Sequence, residues 1–375
     1  MRSGGPHSRG AASAAACLSA ALFAWGHARA QIANRVEIKG LQDLELYKTD
    51  PASLLLSKND GELAGAGRLR LWAAAEFMPG FQGLILGELE GGKATGESGT
   101  SAAIEQAFLR YTSTRAHLMV DAGRVVSPVG NFSKRYLSNV NPLISGPASY
   151  DVVYPEGVVV TGTLSWFDYR AAVIDRPLSN ANYAPEGDRS WRPTVEVGFT
   201  PVIGLRIGAY ATQGTYLGEG IGWALPAGQG WRRFDQGIAG VTLEFSRGHF
   251  ELNGDYAFAC YAVPTHGELS HGQAWFLEPK YTWTPRFFTA IRIEQNDYPY
   301  IQPIDSTLWI AQNVAFHDVE AGAGWRFTPD LVLKASYRRD RWDVSDAMKP
   351  YFPNGYAWGL QLSYGFDVRS WFEPR

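Results

Sequence analysis

The sequence predicts an all-β fold: a transmembrane antiparallel β-barrel of about sixteen strands, with short periplasmic turns and long extracellular loops. Three observations carry this prediction. Apolar and polar residues alternate with a period of two along most of the chain. No stretch after residue 30 is apolar over the roughly 18 residues that a membrane-spanning helix needs. Short and long connections between these stretches alternate strictly along the chain, as the two ends of a membrane barrel require.

Sixteen segments have the strand-like pattern, and no linker divides them. The chain from residue 31 to residue 375 is therefore predicted to form one barrel. The first segment has an alternative interpretation as a periplasmic arm. The predicted strands are 35–48, 62–78, 82–92, 102–113, 116–124, 157–166, 168–176, 191–200, 204–214, 232–246, 249–263, 272–283, 286–297, 315–327, 330–341 and 355–369.

The connections fall into two classes by length. Seven are tight turns, and three of these share an aromatic-Thr-Pro sequence: Phe199-Thr200-Pro201, Trp283-Thr284-Pro285 and Phe327-Thr328-Pro329. Proline suits a turn because its φ is preset, and the aromatic ring before it prefers the membrane interface. The turns therefore predict the periplasmic end. The long connections, predicted to be extracellular, are 49–61, 93–101, 125–156, 177–190, 215–231, 264–271, 298–314 and 342–354.

Residues 1–30 have the features of a cleaved signal peptide. Arg2 and Arg9 precede an apolar stretch from Ala11 to Trp25, and Ala28-Arg29-Ala30 fits the small-x-small cleavage pattern. A mitochondrial or plastid presequence is the alternative. Cleavage removes three arginines and leaves 31 basic against 37 acidic residues, a net charge of −6. That charge argues against a nucleic-acid partner.

In a barrel, the polar row of each strand faces the lumen. Charges of both signs fall in these rows in nearly equal numbers, which argues against strong ion selectivity unless one sign dominates at the narrowest point. Many of them are also expected to pair across strands and hold the wall together. The predicted lumen residues include Arg68, Arg70, Arg110, Arg206, Glu244, Lys280, Arg292, Glu294, Glu320 and Lys334.

The longest connection, residues 125–156, is the third long loop in the predicted order. Loops of this length inside a compact domain are usually functional or disordered. Apolar and aromatic residues such as Phe132, Tyr136, Leu143 and Tyr154 could anchor this one, so its composition does not indicate disorder. A functional loop is the prediction.

In this layout the chain resembles the sixteen-stranded outer-membrane porins, including the phosphate-selective porin group, in which the third long loop folds inward and narrows the pore. The resemblance covers the mature chain in architecture, and its motif-like part runs from Gly123-Arg124 to Gly157. Phosphate specificity does not carry over, because the loop offers only a short basic pair. The sequence does not decide the oligomeric state, for which a homotrimer is the candidate. The resemblance implies a pore constriction built from charges of both signs, namely Arg124, Lys134, Arg135, Asp151 and Glu156.

The predicted function is passive diffusion of small hydrophilic solutes or ions across the outer membrane, with lipid around the barrel. No catalytic residue, metal site or cofactor is predicted: no Gly-rich phosphate loop occurs, and His266 and His271 lack a third ligand. Three alternatives stay open. The first is a non-conducting adhesin or scaffold that uses loops 177–190 and 215–231 as its contact surface. The others are an outer-membrane hydrolase with a Ser–His pair and a secreted soluble β protein.

Overall fold

The computed structural model describes residues 36–95, 99–148, 152–176, 190–297 and 299–368. The predicted signal peptide lies outside these ranges, as do Asp151 and most of loop 177–190. Within them, sixteen antiparallel strands form a closed barrel and two further strands form a separate hairpin. Among the described residues, no helix combines the length and apolar character needed to cross a membrane.

Each barrel strand pairs with the barrel strands before and after it, and the first strand pairs with the last to close the sheet. The hairpin β14–β15 lies within the connection between β13 and β16. The bounds are β1 Val36–Thr49, β2 Ala64–Met78, β3 Phe81–Gly91, β4 Thr100–Ser113, β5 Leu118–Arg124, β6 Glu156–Leu164, β7 Phe167–Ile174, β8 Arg192–Val202, β9 Leu205–Thr215, β10 Asp235–Arg247, β11 Phe250–Ala262, β12 Leu269–Thr282, β13 Phe287–Asn296, β14 Pro299–Pro303, β15 Trp309–Asn313, β16 Ala315–Arg326, β17 Leu331–Asp343 and β18 Gly355–Asp367.

The first strand is part of the barrel and not a periplasmic arm. β1 pairs with β18 from Lys39 opposite Asp367 to Thr49 opposite Ala357, and with β2 on its other side. A free sheet edge in hydrocarbon would leave N–H and C=O groups without partners, so a spanning sheet must close. The prediction of sixteen strands is confirmed. The hairpin was not predicted; it lies within the long connection 298–314.

The connections sort by length to opposite ends of the barrel. We call the end with the tight turns the turn end and the opposite end the loop end. The three aromatic-Thr-Pro sequences all lie at the turn end, where Trp283 and Phe327 are exposed. Exposed rings at this level suit a membrane interface, where amphipathic aromatic side chains are favoured.

The two faces of the wall have the opposite polarity to those of a soluble protein. In β18, the side chain of Trp358 is 57% exposed, whereas Gln361 is only 2% exposed. In β17, Lys334 and Arg338 are buried and point to the inside of the barrel. An apolar outer face and a polar inner face are what a barrel in lipid requires. This polarity argues against the soluble alternative.

Candidate functional site

The ten predicted lumen residues lie on the inner rows of β2, β4, β9, β10, β12, β13, β16 and β17. Most of them take part in ion pairs with carboxylates of neighbouring strands. Three groups of such pairs cover different sectors of the wall, and we name each by its strands. Arg110 pairs separately with Asp121, at 2.7 Å.

The β1–β4 cluster consists of Arg68 and Arg70 with Glu45, Glu88, Glu90 and Glu105. Arg68 lies 3.0 Å from Glu90 and 3.5 Å from Glu45, and Arg70 lies 3.0 Å from Glu105. Four carboxylates thus surround two guanidinium groups. Glu45 and Glu105 were not predicted as lumen residues.

The β12–β17 cluster is largely buried, and only Arg338 borders the cavity described below. Arg292 lies 3.0 Å from Glu278 and 2.6 Å from Glu320, and these three side chains are 0% exposed. Arg338 adds pairs with Asp318 at 2.7 Å and with Glu294 at 3.3 Å. Removal of one partner from such a buried pair costs on the order of 3–5 kcal/mol, because the other charge is left without compensation. These residues therefore hold the wall together.

The β7–β10 cluster is more open. Arg206 lies 2.6 Å from Asp168, 2.9 Å from Glu196 and 3.2 Å from Glu244. The side chains of Asp168 and Glu244 remain about one third exposed, at 35% and 33%. Lys134 of the long loop joins this cluster, 3.2 Å from Glu196 and 3.0 Å from Glu244.

The long loop enters the lumen directly after β5. Gly123 has a φ of +136°, and a Cβ on it would lie 2.4 Å from the carbonyl oxygen of Ala107. Glycine is therefore the residue that permits this close approach. Further along, the backbone N–H of Asn131 donates to Asp255 at 3.0 Å, and its side-chain amide donates to the carbonyl of Leu243. Both partners lie on the far wall.

Side chains of the wall hold the backbone of residues 138–148. We call Arg292, Glu294, Glu320 and Lys334 the loop latch. Lys334 Nζ donates to three loop carbonyls, those of Ser138 at 2.8 Å, Asn141 at 3.0 Å and Leu143 at 2.8 Å. The other three latch residues also bind the backbone: Glu320 accepts from the N–H groups of Ile144 and Ser145, Arg292 donates to the Ser145 carbonyl, and Glu294 accepts from the N–H of Ala148.

The adjoining sector of wall, from β1 to β4, also binds the loop. Ser138 Oγ donates to Asp43 of β1 at 2.5 Å, and Tyr154 donates to Glu105 of β4 at 2.7 Å. The guanidinium of Arg70 lies over the ring of Tyr136 in a cation–π contact, 5.7 Å from the ring centroid. Together with the bond from Asn131 to Asp255 of β11, the bond from Tyr154 to Glu105 of β4 shows that the loop crosses the lumen between distant sectors of the wall.

The structure does not place all of the predicted constriction residues in the lumen. Lys134 and Arg135 lie inside the lumen, and Arg135 pairs with Glu278 at 2.8 Å. Arg124 lies opposite Glu156 where β5 and β6 pair, in the β5 row of the exposed Ala122 and not in that of the lumen-facing Asp121. Asp151 lies outside the described residues. The constriction itself stays a prediction.

A cavity of about 630 Å³ lies between the loop and the sector of wall formed by β1–β3 and β18. Tyr47 and Tyr136 contribute to its lining. Its charged lining residues are Glu45, Lys58, Arg68, Arg70, Glu90 and Arg338. Because ionised side chains are stable beside partners or water, a space with this lining favours small hydrophilic molecules and water.

Two further connections fold inward at the loop end. The β9–β10 connection and the hairpin β14–β15 bury apolar side chains against the inner wall, and we call this group the apolar cap: Tyr216, Leu217, Ile221, Ala224, Leu225, Ile301 and Trp309. Trp309 is 1% exposed, and its Nε1 donates to the carbonyl of Ala224 at 2.8 Å. Burial of a large apolar side chain is worth roughly 1.5–3 kcal/mol. Loop 215–231, which the adhesin alternative uses as its contact surface, therefore packs inward in this part.

One signal in the sequence could have indicated the cap. From Tyr256 to Val263, β11 and its end contain eight consecutive apolar residues, so the polar-apolar alternation is lost. A strand that is apolar on both faces is buried on both faces. Here lipid covers the outer row, and the cap covers the inner row of Ala257, Ala259 and Tyr261.

Solved structures with the same fold include OmpF of Salmonella typhi in a complex with daunomycin. It has a TM-score of 0.61 and 12% identity, over 88% of this chain and 97% of that chain. A loop L8 deletion mutant of OmpT, an outer membrane protein of Vibrio cholerae, has a TM-score of 0.54 and 12% identity, over 88% and 99%. No protein-family model and no curated protein matches the chain. The closed sixteen-strand barrel with an apolar outer face is the outer-membrane barrel fold, and the chain resides in the outer membrane.

Proposed function

We propose that this barrel is a porin through which small hydrophilic solutes or ions diffuse passively across the outer membrane. The observation that carries the proposal is the charge-lined cavity of about 630 Å³ beside a loop that crosses the lumen. Ionised side chains in a lumen are stable only with partners or water. The partly exposed Asp168, Glu244 and Arg68 therefore support a hydrated interior.

The charges support a weak ion preference. Around the cavity, Arg68 and Arg70 are each matched by at least two carboxylates. A ring of one sign at the narrowest section would be needed for strong selectivity. A small neutral solute or a small ion of either sign is therefore the proposed cargo, and phosphate selectivity is not part of the proposal.

Conductance of the purified, refolded protein in a planar lipid bilayer tests this function. We expect stepwise current increases in KCl as single barrels insert. Protein that is denatured by heat before addition serves as the control. A folded preparation that inserts and yields no openings above the background of the bilayer would contradict the proposal.

A non-conducting barrel that acts as an adhesin or scaffold is the second candidate. Its support is the fixation of the long loop to distant sectors of the wall, through Asn131 to Asp255 of β11 and Tyr154 to Glu105 of β4. A variant that lacks residues 138–148 separates the two candidates. A porin conducts with and without this segment, whereas a scaffold barrel is silent as the wild type and conducts only after the deletion.

A further inference from the structure

The inner rows of β10 and β11 change their chemical character between the two ends of the barrel. Near the turn end, β11 presents Glu251, Asn253 and Asp255 to the inside, whereas near the loop end it presents Ala257, Ala259 and Tyr261. β10 changes in the same way: Glu244 and Thr242 are followed on the same row by Gly240 and Ile238. An apolar wall at the entrance of a water-filled pore needs a cover.

The apolar cap supplies that cover over one sector of the entrance. Its central side chain is Trp309, which reaches from the hairpin into the β9–β10 connection and bonds to the carbonyl of Ala224. The backbone N–H of Trp309 also donates to Thr265 Oγ1 at 3.2 Å, which joins the hairpin to the β11–β12 connection. Three connections are thus tied together around one indole ring.

A smaller apolar group covers the neighbouring sector. Val314, Phe316 and Trp342 are buried at the loop end of β16 and β17, and Phe352 packs against them. The sector over β1–β3 differs, because Tyr47, Lys58, Arg68 and Glu90 line the open cavity there. Among the described residues, the polar entrance therefore lies to one side of the barrel axis.

We propose that the apolar cap is a fixed size filter, which confines entry at the loop end to the polar sector over β1–β3 and sets the largest solute admitted. Trp309 is the residue on which this filter depends. The inference rests on the proposed porin function and adds the entrance and its specificity-determining residue. The admitted class is small, strongly hydrated solutes, since the entrance is lined by charged groups.

One-sided polymer exclusion tests the filter. Polyethylene glycols of graded size are added to the loop side of wild-type, Trp309→Ala and Trp223→Ala channels in a planar bilayer. Trp223 lies in the same connection as Ala224 but is exposed, so it is the matched control. We expect the largest polymer that enters from the loop side to increase for Trp309→Ala, and to stay at the wild-type size for Trp223→Ala. Equal cut-offs for all three proteins would overturn the filter.

A cysteine-labelling experiment tests whether the cap covers the inner wall, and it does not depend on ion conduction. Ala259 is buried under the cap and faces inward, and Cys260 is first replaced by Ser to remove the native thiol. We expect Ala259→Cys to resist a water-soluble maleimide with Trp309 present, and to react after Trp309→Ala. Reaction in both backgrounds, or in neither while both barrels are folded, would overturn the cap. Protection of this cysteine by Trp309 in a barrel that does not conduct would overturn the porin function alone.

Discussion

A single buried ammonium group fixes the centre of the loop that crosses the lumen. Lys334 is 1% exposed, and its three N–H bonds all go to backbone carbonyls of the loop. A neutral side chain of similar length would fill the same space and leave these carbonyls without a donor. Buried unsatisfied groups are costly, so this one residue couples the position of the loop to the stability of the barrel.

We predict that Lys334→Met lowers the free energy of unfolding by about 3 kcal/mol, the sum expected from several charge-assisted hydrogen bonds. Equilibrium unfolding in guanidinium chloride, followed by tryptophan fluorescence in detergent micelles, measures this change. Lys48→Met, at an exposed position of β1, is the matched control and should stay close to the wild type. Equal stability of the two variants would contradict the role given to Lys334.

Arg68 is the residue at which we expect the ion preference to be set. It borders the cavity and is matched by Glu45, Glu88 and Glu90. Arg68→Gln removes one positive charge and leaves these carboxylates in place, so cations should be favoured.

The reversal potential in a KCl gradient measures this preference. We predict a shift toward potassium for Arg68→Gln. Arg115→Gln removes the same charge from the exposed β4–β5 turn and should leave the potential near the wild-type value. A shift of the same size in both variants would assign the preference to net charge and not to the cavity.

At the scale of elements, the end of β5 directs the loop into the barrel. Gly123→Ala would place a Cβ against the Ala107 carbonyl in a backbone region that L-residues rarely adopt. Strain of this kind costs about 1–3 kcal/mol. We predict a smaller folded fraction, measured as the heat-modifiable band on an electrophoresis gel. Gly220→Ala, where a Cβ meets nothing within 4 Å, should fold as the wild type does; a loss of folded protein in both variants would argue against a special role of Gly123.

Local elements could be predicted from the sequence, whereas contacts between distant elements could not. Each strand is a local pattern, so the alternation from Trp358 to Phe366 predicts β18 and its outward row. The latch is not local: Lys334 and Ser138 are 196 residues apart and meet only when the barrel has closed. The inward course of loop 215–231 was missed for a related reason, since its apolar residues find their partners on β11 and in the hairpin.

At the scale of the whole molecule, closure of the sheet determines which side chains face outward and which face the lumen. The apolar rows face lipid, the ionic clusters face inward, and the connections that fold inward divide the entrance into covered and open sectors. Strand count and the sorting of turns and loops were predicted from the sequence. The side of the lumen that stays open was not, because it depends on which loops cover which part of the wall.

Osmotic swelling of proteoliposomes tests the central claim, passive diffusion through the lumen, most directly. Liposomes that contain the refolded barrel are diluted into isotonic solutions of a pentose or a large oligosaccharide, and light scattering reports the swelling rate. We expect rapid swelling in the pentose and little in the oligosaccharide, because the loop and the cap leave only a narrow polar path. Swelling in the pentose at the rate of protein-free liposomes, with the barrel folded and inserted, would contradict it.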